Sequence, residues 1–224
     1  MTDKTLQVAV LGAGRMGQQV VRVLEDAEDC GVAGVWSRNT TTDLAELLAS
    51  ADVAIDFTLP GATREILDAA VGARTPLVCG VTGLDPDTAK AMDRAGRTIA
   101  VLYERNMSRG IGVMQKILPQ VALSLGKEFK PAIRETHHVH KKDAPSGTAI
   151  ALREALGDES IDIESQREGE VLGDHVVRFT SASESIEIAH SVSDRRVFAE
   201  GAVAAARWLH GQPPGRYSLA DIWG

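Results

Sequence analysis

The sequence predicts an α/β protein: a parallel sheet covered by helices on both faces, followed by an α+β domain with a mixed sheet. Three observations lead there. Up to about Asn106, short continuous apolar runs alternate with amphipathic, helix-like segments, as expected for parallel strands buried on both faces. A glycine loop, Gly12–Gly17, stands between the first such strand and the first such helix. Beyond Asn106 the strand-like runs lengthen and interleave polar residues, as in a sheet with one exposed or interface face.

The elements follow in order. Leu6–Leu11 (LQVAVL) reads as a buried strand, and Met16–Glu25 as a helix with Met16, Val20, Val23 and Leu24 on one stripe. Val32–Trp36 is the second strand, and Thr42–Ala49 a short helix with Thr or Asp at its cap. Val53–Phe57 and Ala62–Ala70 form the next pair. Pro76–Cys79 is the fourth strand. Asp85–Ala95 is a helix, with Asp85 as cap and Pro86 at its first position. Ile99–Tyr103 is the fifth strand. Ile111–Leu125 then reads as a long apolar helix, interrupted near Pro119. Lys130–His140, Val176–Thr180 and Ser185–His190 read as strands, Thr148–Leu156 and Phe198–His210 as helices. The ending, GQPPGRYSLADIWG, reads as a turn and a short tail. The expected division is a first domain of residues 1–107 and 198–224, the last helix returning to it, and a second of residues 108–197.

Composition excludes several classes. A formal net charge of −7 and a pI near 5.4 argue against a general nucleic-acid binder. No run approaches the ~18 apolar residues of a membrane span, and the start, MTDKTLQVAVLGAG, lacks a signal-peptide pattern, so a cytoplasmic location is expected. Cys30 and Cys79 lie far apart without CxxC spacing and are expected as buried free thiols.

Gly12-Ala13-Gly14-Arg15-Met16-Gly17 fits G-x-G-x-x-G in its required context, after a strand and opening a helix. Gly12 permits the tight turn, Gly14 lets a pyrophosphate approach the backbone, and Gly17 allows close strand–helix contact. The first domain is therefore expected to be a Rossmann-type dinucleotide domain. Ser37 and Arg38 end the second strand, where an NAD site usually carries an acid; they could meet a 2′-phosphate, which favours NADPH over NADH. Gly80, Val81 and Thr82 follow the fourth strand, and Glu104, Arg105, Asn106 and Met107 the fifth. Ligands of doubly wound sheets lie at those carboxyl ends, so both loops are expected beside the nicotinamide.

Glu135–Thr148 reads ETHHVHKKDAPSGT. If Ile133–His140 is a strand, His138 and His140 share one face and His137 the other. Lys141 lies just beyond, able to pair with a carboxylate or donate a proton, as histidine can near neutrality. The amides of Ser146, Gly147 and Thr148 open a helix, where free N–H groups and the dipole attract carboxylate or phosphate. Proton donors beside an anion cradle point to an acidic small molecule. His-His-x-His also offers three imidazoles to a metal, but adjacent strand residues face apart and lysines would repel a dication; no metal is expected. A merely solvated strand end is the third reading.

ETHHVHKKDAPSGTA, at 135–149, closely resembles the signature of the 4-hydroxy-tetrahydrodipicolinate (dihydrodipicolinate) reductase family. Supporting matches are GAGRMG at 12–17, DFT at 56–58, G-x-T-G at 80–83 and N-x-S at 106–108. R-x-G-x-x-x-G-x-H at 167–175, E-x-I-x-x-x-H at 184–190, FAEGA at 198–202 and the PPGRYSLADIWG ending add to them. The resemblance implies reduction by NAD(P)H of the product of dihydrodipicolinate synthase, on the diaminopimelate route to lysine, in a homo-oligomer, usually a tetramer. It implies hydride transfer to C4, with His137 as the catalytic histidine and Lys141 as proton donor. His138 would bind one substrate carboxylate and the Gly147 and Thr148 amides another, with Ser146 and Thr82 beside them. Arg38 would meet the 2′-phosphate, and Arg167 would act structurally through its segment. The chain departs from the family where its glycine loop is one residue shorter than G-x-x-G-R-M-G. Leu59 stands where many members carry Arg after DFT, Val81 replaces a threonine, and segments after Arg38 and Leu156 are trimmed.

Overall fold

The computed structural model describes residues 5–222; the first four residues and the last two of the tail lie outside it. Two compact units are present: residues up to Met107 with Arg196–Ile222, and Ser108–Arg195.

The first unit holds strands β1 (Leu6–Leu11), β2 (Cys30–Trp36), β3 (Val53–Asp56), β4 (Leu77–Cys79) and β5 (Ala100–Tyr103). Between them run helices α1 (Arg15–Glu25), α2 (Leu44–Ser50), α3 (Pro60–Ala73) and α4 (Pro86–Ala95). All five strands pair in parallel, in the order β5-β4-β3-β1-β2. Val8–Leu11 and all of β3 are buried because successive side chains enter opposite cores. Val8, Val10 and Ile55 pack with Val20 and Leu24 on one side. Ala9, Leu11 and Ala54 pack with Leu48, Ile66 and Met92 on the other. The caps follow the sequence: Asp43 accepts the Glu46 amide at 2.9 Å, and Asp85 accepts those of Asp87 and Thr88.

The second unit begins with α5 (Arg109–Leu125), β6 (Lys130–His137) and α6 (Gly147–Leu156). Strands β7 (Ile163–Arg167), β8 (Asp174–Thr180) and β9 (Ser185–Ser191) complete a sheet of order β7-β6-β8-β9. β6 and β7 are parallel and the other pairs antiparallel, so the sheet is mixed. Ile133, Val177 and Phe179 form its core with Ile111, Met114, Leu118 and Leu152 of the two helices. The chain returns to the first unit as α7 (Arg196–Leu209), β10 (Gly215–Tyr217) and α8 (Leu219–Ile222).

Three expectations are corrected, and one strand is added to those expected. Helix α5 runs unbroken through Pro119, which is exposed. Strand β7 has one strongly apolar residue and so no periodic signal; its pairing with β6 fixes it. The tail adds β10 as a sixth parallel strand beside β5, held by ladder bonds, by the Trp208–Tyr217 ring contact and by the Arg216–Asp93 ion pair. Most consequentially, β6 ends at His137 and not at His140. The chain turns there, with the Lys141 amide bonded to the His138 carbonyl at 3.1 Å, so His138 and His140 do not share a strand face.

Candidate active site

In the first unit, Gly12 has φ +112°, and a Cβ there would stand 2.7 Å from the Phe57 carbonyl oxygen. A Cβ on Gly17 would overlap the Gly12 carbonyl at 1.7 Å, which explains the close start of α1. Gly14, by contrast, opens onto free space, and no side chain caps the helix it begins. The α1 amides are therefore presented toward a region where a phosphate fits. A cleft of about 350 Å³ continues from the loop past Trp36, Ser37, Arg38, Thr58 and Leu59. Arg38 Nη2 donates to the Gly61 carbonyl at 2.6 Å, which holds its guanidinium at the cleft. The residues fit a dinucleotide: glycine backbone for a pyrophosphate, an aromatic and apolar wall, and one cation.

The other loops are less uniform. Thr82 is exposed, whereas Val81 is buried in the core. A Cβ on Gly80 would lie 2.3 Å from the Phe57 ring, so glycine there admits the phenyl group. The Met107 side chain sits in the core at 1% exposure, and Glu104 accepts the Leu219 amide at 3.2 Å. Those two side chains point into the fold, leaving backbone as their route to a ligand. Arg105 and Asn106 are half-buried.

In the second unit, strand alternation gives one face of β6 the series Ile133, Glu135, His137, apolar toward the middle and polar toward the end. Register adds neighbours: Glu135 lies opposite His175, His175 opposite His190, and His137 beside Arg167. Glu135 is wholly buried. Its carboxylate pairs with Arg167 through two hydrogen bonds, of 3.0 and 3.2 Å, and accepts His137 Nδ1. The Ser146 amide also reaches it, at 3.3 Å. Burial opposes its charge, but the donors from Arg167, Ser165 and His137 outweigh that and hold it below the ordinary carboxylate range. Burial lowers the His137 pKa, with Glu135 working the other way, so this imidazole is neutral near pH 7. His175 meets it edge to face with centroids 5.2 Å apart, and burial pushes the His175 pKa down to about 3.

Lys141 Nζ pairs with Asp143 at 2.9 Å. His138 Nδ1 is buried and makes no hydrogen bond among the described residues. His140 is exposed beside Glu170. Ser146 caps α6, its Oγ accepting the Ala149 amide at 3.1 Å and lying 3.4 Å from His175 Nε2. Gly147 and Thr148 follow as the first helical residues. The unit thus brings His137, Ser146 and, through Arg167, the Lys141 segment to one end of the sheet; His140 points elsewhere. Among the described residues, no group of three or more His, Cys, Asp or Glu is placed to hold a metal, and no helix is long and apolar enough to cross a membrane. Both cysteines are buried free thiols.

Family models of dihydrodipicolinate reductase match most of the chain: the N-terminus over residues 6–107 and the C-terminus over residues 110–223. The chain belongs to the dihydrodipicolinate reductase family. It is 36% identical to a 4-hydroxy-tetrahydrodipicolinate reductase of Alkalilimnicola ehrlichii, over 98% of this chain and 99% of that one. It is also 36% identical to one of Anaeromyxobacter dehalogenans, over 97% of each. The former alignment spans 265 positions against 224 residues here, because that reductase carries segments this chain lacks. A dipicolinate-bound dihydrodipicolinate reductase of Paenisporosarcina sp. TG-14 shares the fold, with a TM-score of 0.81 at 19% identity, over 98% of this chain and all of that one.

Three residues of this reductase-family site carry no assigned role in the sequence reading. Glu135 was legible as the same-face partner of His137, two positions before it on a strand. His175 lies within R-x-G-x-x-x-G-x-H, but no local pattern places it opposite Glu135. Asp143 is next but one to Lys141, yet only a turn brings their side chains together.

Proposed function

We propose that this chain is a 4-hydroxy-tetrahydrodipicolinate reductase of the diaminopimelate and lysine route, using NADPH in preference to NADH. Besides family membership, one observation carries the reading. An uncapped glycine-loop helix in one unit is matched in the other by a helix start, Ser146–Thr148, beside a buried, hydrogen-bonded His137 and a Lys141 ammonium.

The Gly147 and Thr148 amides bind one substrate carboxylate, with Ser146 and Thr82 supporting it. His138, whose Nδ1 makes no hydrogen bond among the described residues, donates to the other. A reduced nicotinamide, when bound, supplies the hydride, which adds at C4 of the conjugated imine once the 4-hydroxyl has left as water. The ring gains negative charge, and the Lys141 N–H stabilises it and delivers the balancing proton. Gly12–Gly17 receive the pyrophosphate, Ser37 and Arg38 the 2′-phosphate, and Gly80–Thr82 with Glu104–Met107 line the nicotinamide half.

The enzyme is proposed to be a cytoplasmic homo-oligomer, a tetramer or a dimer. The sheet face bearing Ala132, Arg134, Arg178 and Glu187 supports this, since Arg178 and Glu187 already pair across it and a second copy offers the same mixture of charge. No nucleic acid or membrane is a partner.

A coupled assay tests the reading. Pyruvate, aspartate semialdehyde and a separate synthase generate the substrate, and absorbance loss is followed with NADPH and then NADH. Synthase-dependent oxidation, faster with NADPH, is expected. No oxidation by folded, nucleotide-binding protein refutes the activity; faster oxidation of NADH refutes the preference.

A further inference from the structure

The Glu135–Arg167 pair is saturated. Glu135 Oε1 accepts Arg167 Nη2 at 3.0 Å and the Ser146 amide at 3.3 Å; Oε2 accepts Arg167 Nη1 at 3.2 Å and His137 Nδ1. The Ser165 side chain is a further donor, and two carboxylate oxygens offer only about four lone-pair sites, so none is left over. Arg167 is equally committed. Its Nε donates to the Lys141 carbonyl at 3.3 Å, Nη1 also to the Gln166 carbonyl at 2.5 Å, and Nη2 also to the Asp143 carbonyl at 2.6 Å. With the two bonds to Glu135, each of the five guanidinium N–H groups has an acceptor. Three groups with a role in the proposed chemistry of this unit are therefore attached to this pair within one bond: His137, Ser146 and, through its backbone, Lys141.

We propose that Glu135 and Arg167 are positioning residues that fix the proton of neutral His137 on Nδ1 and hold the Lys141 and Ser146 segments in one frame. The inference rests on the reading under Proposed function and deepens it by dividing the roles of the two titratable groups. A carboxylate only accepts, so the His137 nitrogen facing it carries hydrogen, and Nε2 of the neutral ring is left as an acceptor. A Cβ at Gly173 would stand 3.1 Å from that Nε2, so glycine there leaves the nitrogen uncovered. His137 then receives a hydrogen bond at Nε2 and does not supply the proton, which falls to Lys141. The burial that keeps His137 and His175 uncharged agrees with this division.

Substitutions separate positioning from mere support. Glu135→Gln keeps the shape but turns half of the acceptor into a donor, so in either orientation an NH₂ faces existing N–H groups. Arg167→Lys keeps the charge but cannot reach the carboxylate and three carbonyls with one ammonium. In wild-type protein, ¹⁵N spectra of labelled histidine, with His137 assigned from a His137→Gln sample, are expected to show hydrogen on Nδ1 and none on Nε2. In Glu135→Gln that preference is lost. The turnover number falls on the order of 10–100-fold, as for other partners that orient a histidine, while nucleotide affinity is unchanged. Loss of the carboxylate lowers the His137 pKa, so the acid limb of the pH–rate profile moves to lower pH; a merely structural loss would scale the profile without moving it. Arg167→Lys weakens dipicolinate binding at constant nucleotide affinity.

A wild-type His137 with hydrogen on Nε2 overturns the proposal. So does a folded Glu135→Gln protein with unchanged tautomer, turnover and profile. Should Glu135→Gln fail to fold, the wild-type spectrum and Arg167→Lys decide. The spectrum stands whether or not the synthase-coupled assay succeeds, so failure of the activity and failure of the positioning are read separately.

Discussion

Replacing Asp56 with asparagine should make the protein more stable at pH 7, but not at pH 4. Asp56 ends β3 with no exposed surface. One of its oxygens accepts the Thr58 amide and hydroxyl at 2.8 and 2.6 Å; the other meets the Cys79 thiol, 3.8 Å away. Burial dominates, and the Thr58 bonds recover only part of the lost hydration, so the pKa rises from 3.8 to about 6. The sign follows from proton counting. Between those values the folded state holds a proton that the unfolded state has released, so stability falls as pH rises through the window and stays lower above it. At 1.36 kcal/mol per pH unit the gap corresponds to about 3 kcal/mol, an upper figure for a buried group. Asparagine keeps an oxygen for Thr58 and carries no charge. Urea unfolding of both proteins from pH 4 to 8, followed by tryptophan fluorescence to which Trp36 and Trp208 contribute, should give a difference near zero at pH 4. That difference should grow to about 2 kcal/mol by pH 7 in favour of Asp56→Asn. Groups common to both proteins cancel. A difference that does not change with pH, or a variant less stable at pH 7, would refute the reasoning. NADPH affinity should be retained, since Thr58 keeps its anchor at the cleft.

Other substitutions probe the proposed chemistry. Lys141→Ala should lower turnover by about 10²–10⁴-fold, the usual range for losing a general acid, with nucleotide affinity by calorimetry unchanged; unaltered turnover would remove Lys141 from the mechanism. Arg38→Ala should raise KM for NADPH by about tenfold, as expected for a lost hydrogen bond to a charged group, and barely alter KM for NADH; equal effects would make Arg38 a surface cation. Ser146→Ala should cost about 1 kcal/mol of stability through the lost helix cap and weaken dipicolinate binding without changing nucleotide affinity. Unchanged dipicolinate affinity would separate the cap from the anion cradle.

The first sheet was legible because its information is local. Continuous apolar strands, caps such as Asp85 and the glycine spacing each act within a few residues, and the structure follows them closely. β10 and β7 were not legible for the opposite reason. Gly-Arg-Tyr acquires a strand conformation only because Ala100–Leu102 lies beside it, more than a hundred positions away in sequence. Ile-Glu-Ser-Gln-Arg is a strand because its Ser and Arg stand beside Glu135 and His137, so its polar character belongs to the site and hides the element. Pro119 misled in the other direction. Proline costs a helix one backbone bond and a ring clash, and α5 continues past it because Met114 and Leu118 before it and Val121 and Leu125 after it pack into the core of the second unit.

At the site, residue types were legible and their arrangement was not. Alternation assigned His137 to one face of a strand and His138 with His140 to the other, but it ceased to apply where β6 ends, at His137 itself. A turn follows the end of the strand, and Arg167, at the last paired position of β7, holds that turn by donating to the carbonyls of Lys141 and Asp143. The same guanidinium makes it tolerable to bury Glu135, and Glu135 in turn orients His137. A polar network in which each member supplies the reason for the next has no signature in sequence spacing. Glu135 and Arg167 are more than thirty residues apart, and neither is explicable alone. The physics points the other way as well. A wholly buried carboxylate with all its acceptor sites filled is costly to assemble for stability alone, so the network is best understood through the imidazole, the lysine segment and the helix start that it holds in place.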